Sequence, residues 1–600
     1  MSSAPTWDLS FLFASTEDPK IEQVWTDVAD RADRFQEKYK GNLAGLTPAE
    51  LRDAIQQVEE IYSMASKPST FAGLLFSAHA SDPKVGAFYQ QQAEQEPAIQ
   101  VKTLFFSLEL QAMGSEKLLE LANDPELRQY QHFLRELGLS AKHRLSEPEE
   151  ALLAEFSPTT DGAWVRYFTQ LTSSTECDYT DPKTGEATQI PFFKALDKLY
   201  SPERAVRVAG GAAVSSGCER LLPHVSYLYN NLVQHKRTED RLRKFDSPEA
   251  ARHLSNELTN EVVETVVGLC EVNFPMVDRY YSVKREILGL ESLDHVDRYA
   301  PLFPAEQTME FEEARKLILQ SFGEFDPRME EAASEFFTDG WIEAEAREGK
   351  RGGAFCAYIT PDTHPVVFMT YMGKLKDVQT LAHELGHGVH AYFSRKQSML
   401  NFSGTLPLAE LASTFGEMLV FESQLQSASL KDRVALLADK IEGSFATIFR
   451  QAAMYRFEQA VHHHRATEGE LSAEQLGELW QENLQRMFGA SVKLGDEHKN
   501  WWSYVPHFIG SPFYVYAYSF GELLALSLFS KAKSEGKPFV EKYFEVLELG
   551  GSKTPDELMS IVGVDLADEN FWREGFSVLE NLLSEFETLW QEYRAQNSNG

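Results

Sequence analysis

Apolar residues recur at spacings of three and four along most of this chain. They lie in long stretches rich in Ala, Leu, Glu, Gln and Lys, broken by short Pro, Gly or Asp interruptions, a pattern that predicts helix. It runs through PAELRDAIQQVEEIYSMAS (48–66), EEARKLILQSFGEF (312–325) and FSVLENLLSEFETLWQEYRAQ (576–596). Strand-like alternation is scarce. In GGAFCAYITPDTHPVVFMTY (352–371) two β-rich runs flank the turn formers Pro361, Asp362 and Thr363, which predicts a hairpin. A second hairpin is expected at CDYTDPKTGEATQIPFF (177–193), taken as a lobe boundary. After the first hairpin, Val378, Leu381, Ala382, Leu385, Val389, Tyr392 and Phe393 fall in one stripe at about 100° per residue, with Asp377 placed to cap the helix they form.

The reverse face of that helix bears TLAHELGHGVH (380–390), which puts His383, His387 and His390 opposite the apolar stripe. A solvated face would carry charge, yet from Asp377 to Ser394 this side has no Lys or Arg and includes Gly386 and Gly388, which weaken a helix. His383 and His387 are one turn apart, about 5–6 Å at Cβ, so both imidazoles can reach one ion at about 2.0–2.1 Å. Composition alone would give about 0.06 occurrences of H-[DE]-x-x-H in the chain. His390 stands two turns from His383, too far to share a small ion, and is read as a packing or pocket residue. The longer pattern H-E-x-x-H-x-x-G-x-x-H is absent, since positions 390 and 393 hold His and Phe, so a third ligand must come from another segment.

An open tetrahedral zinc site takes two His, one carboxylate and a water. The segment LPLAELASTFGEMLVFE (406–422) supplies a carboxylate, because Glu410 and Glu417, seven apart, share the face opposite Leu408, Leu411, Ala412, Phe415, Met418 and Leu419. Taken alone, such glutamates are ordinary surface residues. Pro407 places Glu410 in the first turn, whereas Glu417 lies two turns deeper, where it can orient a ligand histidine. The run VHHHR (461–465) is not a rival site, because consecutive residues point about 100° apart on a helix, and it is read as surface.

Composition narrows the partners. The 600 residues, 43% hydrophobic, suffice for two to four domains, and 91 Asp+Glu against 57 Lys+Arg give a net charge of −34 that argues against nucleic acid and anionic membrane surfaces. The four cysteines show no paired spacing, the opening MSSAPTWDLSFLF has no basic-then-apolar leader pattern, and no apolar run reaches 18 residues. A soluble cytoplasmic protein is the expectation; monomer or homo-oligomer stays open.

With these residues assembled, the chain resembles the oligoendopeptidase F branch of the thimet oligopeptidase family of zinc metallopeptidases. The likeness spans WDLSFLF, GKRGGAFC…HPVVFMTY, the motif helix, AELASTFGEML and HFIGSPFYVYAYSFGE (507–522). It implies a mainly α, two-lobed helical body around a deep central channel, with the small hairpin beside the zinc helix. An N-terminal helical domain over 1–198 and a catalytic domain over 199–600 are implied too. One Zn2+ would be held by His383, His387 and Glu410, with Glu384 as general base and Glu417 behind the ligands. Gly352 and Gly353, otherwise a turn, would lie where an extended peptide adds to the hairpin edge. The dense aromatics from Trp501 to Phe520 read by themselves as packed core. The resemblance adds His507, Tyr514 and Tyr518 as donors to the substrate carbonyl; the Gly and Tyr spacing departs from the thimet branch, so Tyr516 stays a candidate. The activity implied is hydrolysis of internal bonds in short unfolded oligopeptides. A zinc carboxypeptidase or dipeptidyl carboxypeptidase is the near alternative, and a helical scaffold with a structural metal the distant one, disfavoured because structural zinc takes four protein ligands, often cysteine.

Overall fold

The periodicity of three and four resolves into helices whose ends are set by local chemistry. Thr47 and Glu50 form a reciprocal capping box at the start of helix Pro48–Ala78, and Leu51, Ala54, Ile55, Val58 and Ile61 on one side of it are buried. The other expected helices lie within Phe311–Phe325 and Glu569–Asn597. In the computed structural model, which describes residues 4–303 and 308–597, the chain is mainly helical with only small sheets, as its patterning predicts. Among the described residues no helix is long and apolar enough to cross a membrane.

Two compact units form, each from three stretches of sequence. One comprises Met1–Arg144, Ala305–Ser427 and Leu528–Leu566; the other comprises Leu145–Pro304, Ala428–Ser527 and Ala567–Gly600. The expected division near residue 198 is a division of sequence, and these units cut across it. The second unit contains the antiparallel pair Glu176–Thr180 and Ala187–Pro191, the hairpin expected at 177–193, and a short parallel pair, Leu293–Asp294 with Val492–Lys493.

The first unit contains the motif helix, Leu375–Ser394, and the sheet beside it. Strand Val366–Phe368 lies between Ile342–Glu343, parallel to it, and Phe355–Ala357, antiparallel, with Cys356 opposite Val367. Lys350 ties this sheet together by donating to the carbonyls of Glu345 at 2.9 Å and Met369 at 2.6 Å. Asp377 does not occupy the cap position expected of it. It lies in the first turn, and its carboxylate reaches back to accept from the backbone N–H groups of Met372 at 2.8 Å and of the cap residue Lys374 at 3.0 Å, as the acid of a capping box does.

Val378, Leu381, Leu385 and Val389 on the motif helix are fully buried. At about 1.5–3 kcal/mol each they contribute roughly 6–12 kcal/mol as an upper bound, enough to fix which way the histidine face turns. The glycines on that face are there for close approach rather than to weaken the helix. A Cβ on Gly386 would stand 2.4 Å from the carbonyl oxygen of Ala412, and one on Gly388 would stand 2.5 Å from the Phe336 ring. Gly386 therefore lets helix Leu411–Ser427 lie directly against the histidines.

Candidate metal centre

His383 and His387 present their Nε2 atoms toward Glu410, whose Oε2 lies 3.2 Å from the first and 3.6 Å from the second. Ligand atoms of these three residues all lie within 4.8 Å of one another. Donors at about 2.0–2.1 Å from a tetrahedral ion are separated by roughly 3.3–3.4 Å, so the set fits a zinc-sized cation with little rearrangement. Glu410 is not in the first turn of a continuous helix as expected from Pro407. It stands at the junction between the short helix Leu406–Ala409 and Leu411–Ser427, with Ser413 Oγ donating to its Oε2 at 2.7 Å. Glu417 faces the far side of His383, 3.2 Å from Nδ1, where it can fix the tautomer that leaves Nε2 free for a metal.

The electrostatics follow from burial and from this crowding of acids and imidazoles. Burial opposes charge on Glu410, yet the hydrogen bond and charge of His383, with His387 and Ser413, hold its carboxyl down at about 2. Burial likewise opposes charge on His383, but its hydrogen bonds to Glu410 and Glu417 lift it to about 10, so an entering cation must displace a proton there. His387 is depressed by burial to about 4. Glu384, only 6% exposed, is pushed up by burial to about 7, with His383 opposing and Glu410 reinforcing. It stands beside the donor set without belonging to it, which suits a group that exchanges protons rather than one that binds metal.

His383, Glu384, His387 and Glu410 line a cavity of about 440 Å³ together with Cys356 of strand Phe355–Ala357, with Ala354 and Tyr358 on either side of that strand, and with Ser403 and Gly404. Tyr358 was not singled out from sequence, although the alternation Ala354, Cys356, Tyr358 was the signal that could have found it. His390 also lines the cavity; it is 6% exposed and depressed by burial to about 4, in keeping with a pocket role. Gly352 and Gly353 are exposed just before the strand and are not cavity-lining residues; Gly353 has φ +90°, so its turn requires glycine whatever else it does.

The late aromatic stretch lies in the second unit. There His507 Nε2 is 3.2 Å from the hydroxyl of Tyr518, and the Tyr514 ring lies 5.9 Å from that of His507 and 5.2 Å from that of Tyr518. All three are partly exposed. Tyr516 is not one of this group. It is 1% exposed, and its hydroxyl accepts from Asn256 Nδ2 at 2.8 Å and meets His253 Nδ1 at 3.1 Å, which makes it an interior anchor. Trp501 and Trp502 are core, as the bland reading expected. The run VHHHR does spread around its helix, but His462 is buried and packs against Phe513 with ring centroids 4.7 Å apart, which corrects the surface assignment.

Comparison with known proteins decides the family. The sequence pattern of peptidase family M3 matches residues 198–578, well over half of the chain. The chain belongs to peptidase family M3. As an M3 peptidase it is a metalloendopeptidase, and an oligopeptidase F pattern matches residues 109–176. Oligopeptidase PepF of Bacillus subtilis is 28% identical, over 97% of this chain and 87% of its own. Group B oligopeptidase PepB of Streptococcus agalactiae is 27% identical, over 97% and 96%. The same fold occurs in the crystal structure of a putative peptidase from Chlamydophila abortus, with TM-score 0.83 and 24% identity over 97% of this chain and 98% of that one. It occurs again in oligoendopeptidase-F from Enterococcus faecium, with TM-score 0.72 and 23% identity over 96% and 99%.

Proposed function

We propose that this M3 peptidase is a zinc-dependent endopeptidase that cuts internal bonds of short unfolded oligopeptides, with His383, His387 and Glu410 as metal ligands and Glu384 as general base. The observation that carries the reading is the convergence of two imidazoles and one carboxylate at 3.2 and 3.6 Å, with a buried second carboxylate beside them. Relatives named as oligopeptidases support the substrate class.

Zn2+ held there supplies Lewis-acid chemistry, bringing the pKa of water toward about 7 and polarising the scissile carbonyl. Glu384 takes the proton of the attacking water and passes it to the leaving nitrogen; burial raises its proton affinity and so makes it a better acceptor than a solvated carboxylate. Glu417 accepts from Nδ1–H of His383 and keeps Nε2 available. His507 and Tyr514 or Tyr518 donate to the developing oxyanion, where loss of one donor typically costs about 10²–10³ in turnover. Strand Phe355–Ala357 is the edge of its sheet, so an extended peptide can pair with its free side through backbone groups alone, tolerating many sequences. Four free cysteines support a reducing, cytoplasmic setting.

Cleavage of an internally quenched peptide, with and without chelator and with products identified by mass, tests this reading. Internal cuts abolished by chelator and restored by zinc are expected. Activity that survives complete metal removal, or products shortened only at a terminus, would refute it.

A further inference from the structure

Helix Phe449–Thr467 in the second unit carries a glutamate, Glu458, with no solvent exposure. Burying a carboxylate is unfavourable unless strong partners hold it. Its Oε1 accepts a hydrogen bond from the backbone N–H of Phe513 at 2.9 Å, while Oε2 has no partner among the described residues. The same peptide group is held from its other end, because the carbonyl of Pro512 accepts from Nε of Arg252 at 3.2 Å. The Pro512–Phe513 peptide thus bridges a buried carboxyl group and a guanidinium, N–H to the acid and C=O to the cation, the second contact being of the charge-assisted kind.

The backbone between these contacts is in a state the chain would not choose unaided. Phe513 has φ +57°, in the left-handed region that a bulky residue occupies only when its surroundings over-determine it. Glycine would relieve the strain, but the Phe513 ring is fully buried, with centroids 4.7 Å from His462 and 6.0 Å from Tyr455. The residue that leaves this bend is Tyr514. Its backbone N–H donates to Ser511 O at 3.1 Å, and Arg252 lies over its ring at 5.7 Å. His507 and Tyr518 engage one another at 3.2 Å, whereas the Tyr514 hydroxyl makes no hydrogen bond among the described residues.

We propose that Glu458 and Arg252 are positioning residues: by gripping the Pro512–Phe513 peptide from both ends they hold Phe513 left-handed and so set the direction in which Tyr514 presents its free hydroxyl. This rests on the reading of Tyr514 as a donor to the substrate carbonyl. Glu458, with no solvent exposure, acts only through this peptide.

A double-mutant cycle in the full-length, zinc-loaded enzyme tests the idea, with Y514F, E458M and the double variant compared for kcat, KM, zinc content and melting temperature. Y514F should lose roughly 10²-fold in kcat. E458M should lose on the order of 10 to 10²-fold with KM within about twofold, and the double variant should be no worse than the poorer single one, because both remove the same contact. E458Q, which keeps an oxygen for the Phe513 N–H, should stay within about threefold of the parent. An E458M enzyme with parental kcat overturns the proposal, as does a loss that multiplies with that of Y514F. Should Y514F itself be fully active, the donor reading of Tyr514 fails and this proposal with it; a multiplying cycle with an impaired Y514F sinks the proposal alone. If E458M does not fold, R252M releases the carbonyl end of the same peptide and enters the same cycle, with the same outcomes deciding.

Discussion

Replacing Glu384 by Gln separates proton transfer from metal binding at this centre. The amide has nearly the size of the carboxyl and sits at the same buried position, 6% exposed and outside the donor set, so the separations of 3.2 and 3.6 Å between Glu410 and the two imidazoles should persist. What disappears is a base whose carboxyl burial has moved from 4.5 to about 7. General-base catalysis contributes about 10²–10⁴, and a base so strengthened belongs in the upper part of that range. A loss of about 10³–10⁴ in kcat is therefore expected, or about 4–5.5 kcal/mol on the barrier. The sign of the pH effect follows from the same group, which works only when deprotonated. A dication nearby favours the carboxylate, so the limb along which kcat/KM rises with pH should lie between the ordinary 4.5 and the metal-free value of about 7. That limb should vanish in the residual activity of E384Q. The assay is quenched-peptide hydrolysis across pH, with zinc measured by elemental analysis on the same samples. A Gln variant within tenfold of the parent would remove Glu384 from the chemistry, and one that loses its zinc would make Glu384 a ligand.

Three further outcomes are expected. E410Q should lose the metal, whereas E417Q should keep it with affinity weakened by about 10–100-fold in competition with a chelating dye; the reverse ranking would exchange their roles. G386A should destabilise the enzyme by about 1–3 kcal/mol and weaken metal binding, because the added methyl pushes against the Ala412 carbonyl and separates the two helices that carry the donors; an unchanged melting temperature would disprove the contact. Y516F, which removes a hydroxyl bonded by Asn256 and His253, should cost about 1 kcal/mol of stability and leave kcat intact, and lost turnover at unchanged stability would return Tyr516 to the substrate.

Much of the fold was legible because its signals are local. The 3.6-residue period of the apolar positions gave the helices, and turn formers between β-rich runs gave both hairpins, now observed at 176–191 and 355–368. The histidine half of the centre was legible for the same reason, since residues four apart on one helix are neighbours however the helix packs. Reading failed where a local rule met a long-range contact. The glycines of the motif helix read as weaknesses, but Ala412 and Phe336 lie against them, and VHHHR reads as exposed, but Phe513 packs against His462.

The sequence by itself thus determined a mainly helical chain and a helix with two imidazoles on the face opposite its apolar stripe. Only the tertiary structure decided that Glu410 meets both Nε2 atoms while Glu417 takes the other nitrogen of His383, that Glu384 is buried deeply enough to hold its proton near neutrality, and that Tyr516 turns inward while Tyr514 stays partly exposed. The physical reason is one of range. Periodicity fixes directions within one element, but ligation and proton affinity depend on distances of a few ångströms between side chains whose spacing is set by how separate elements pack.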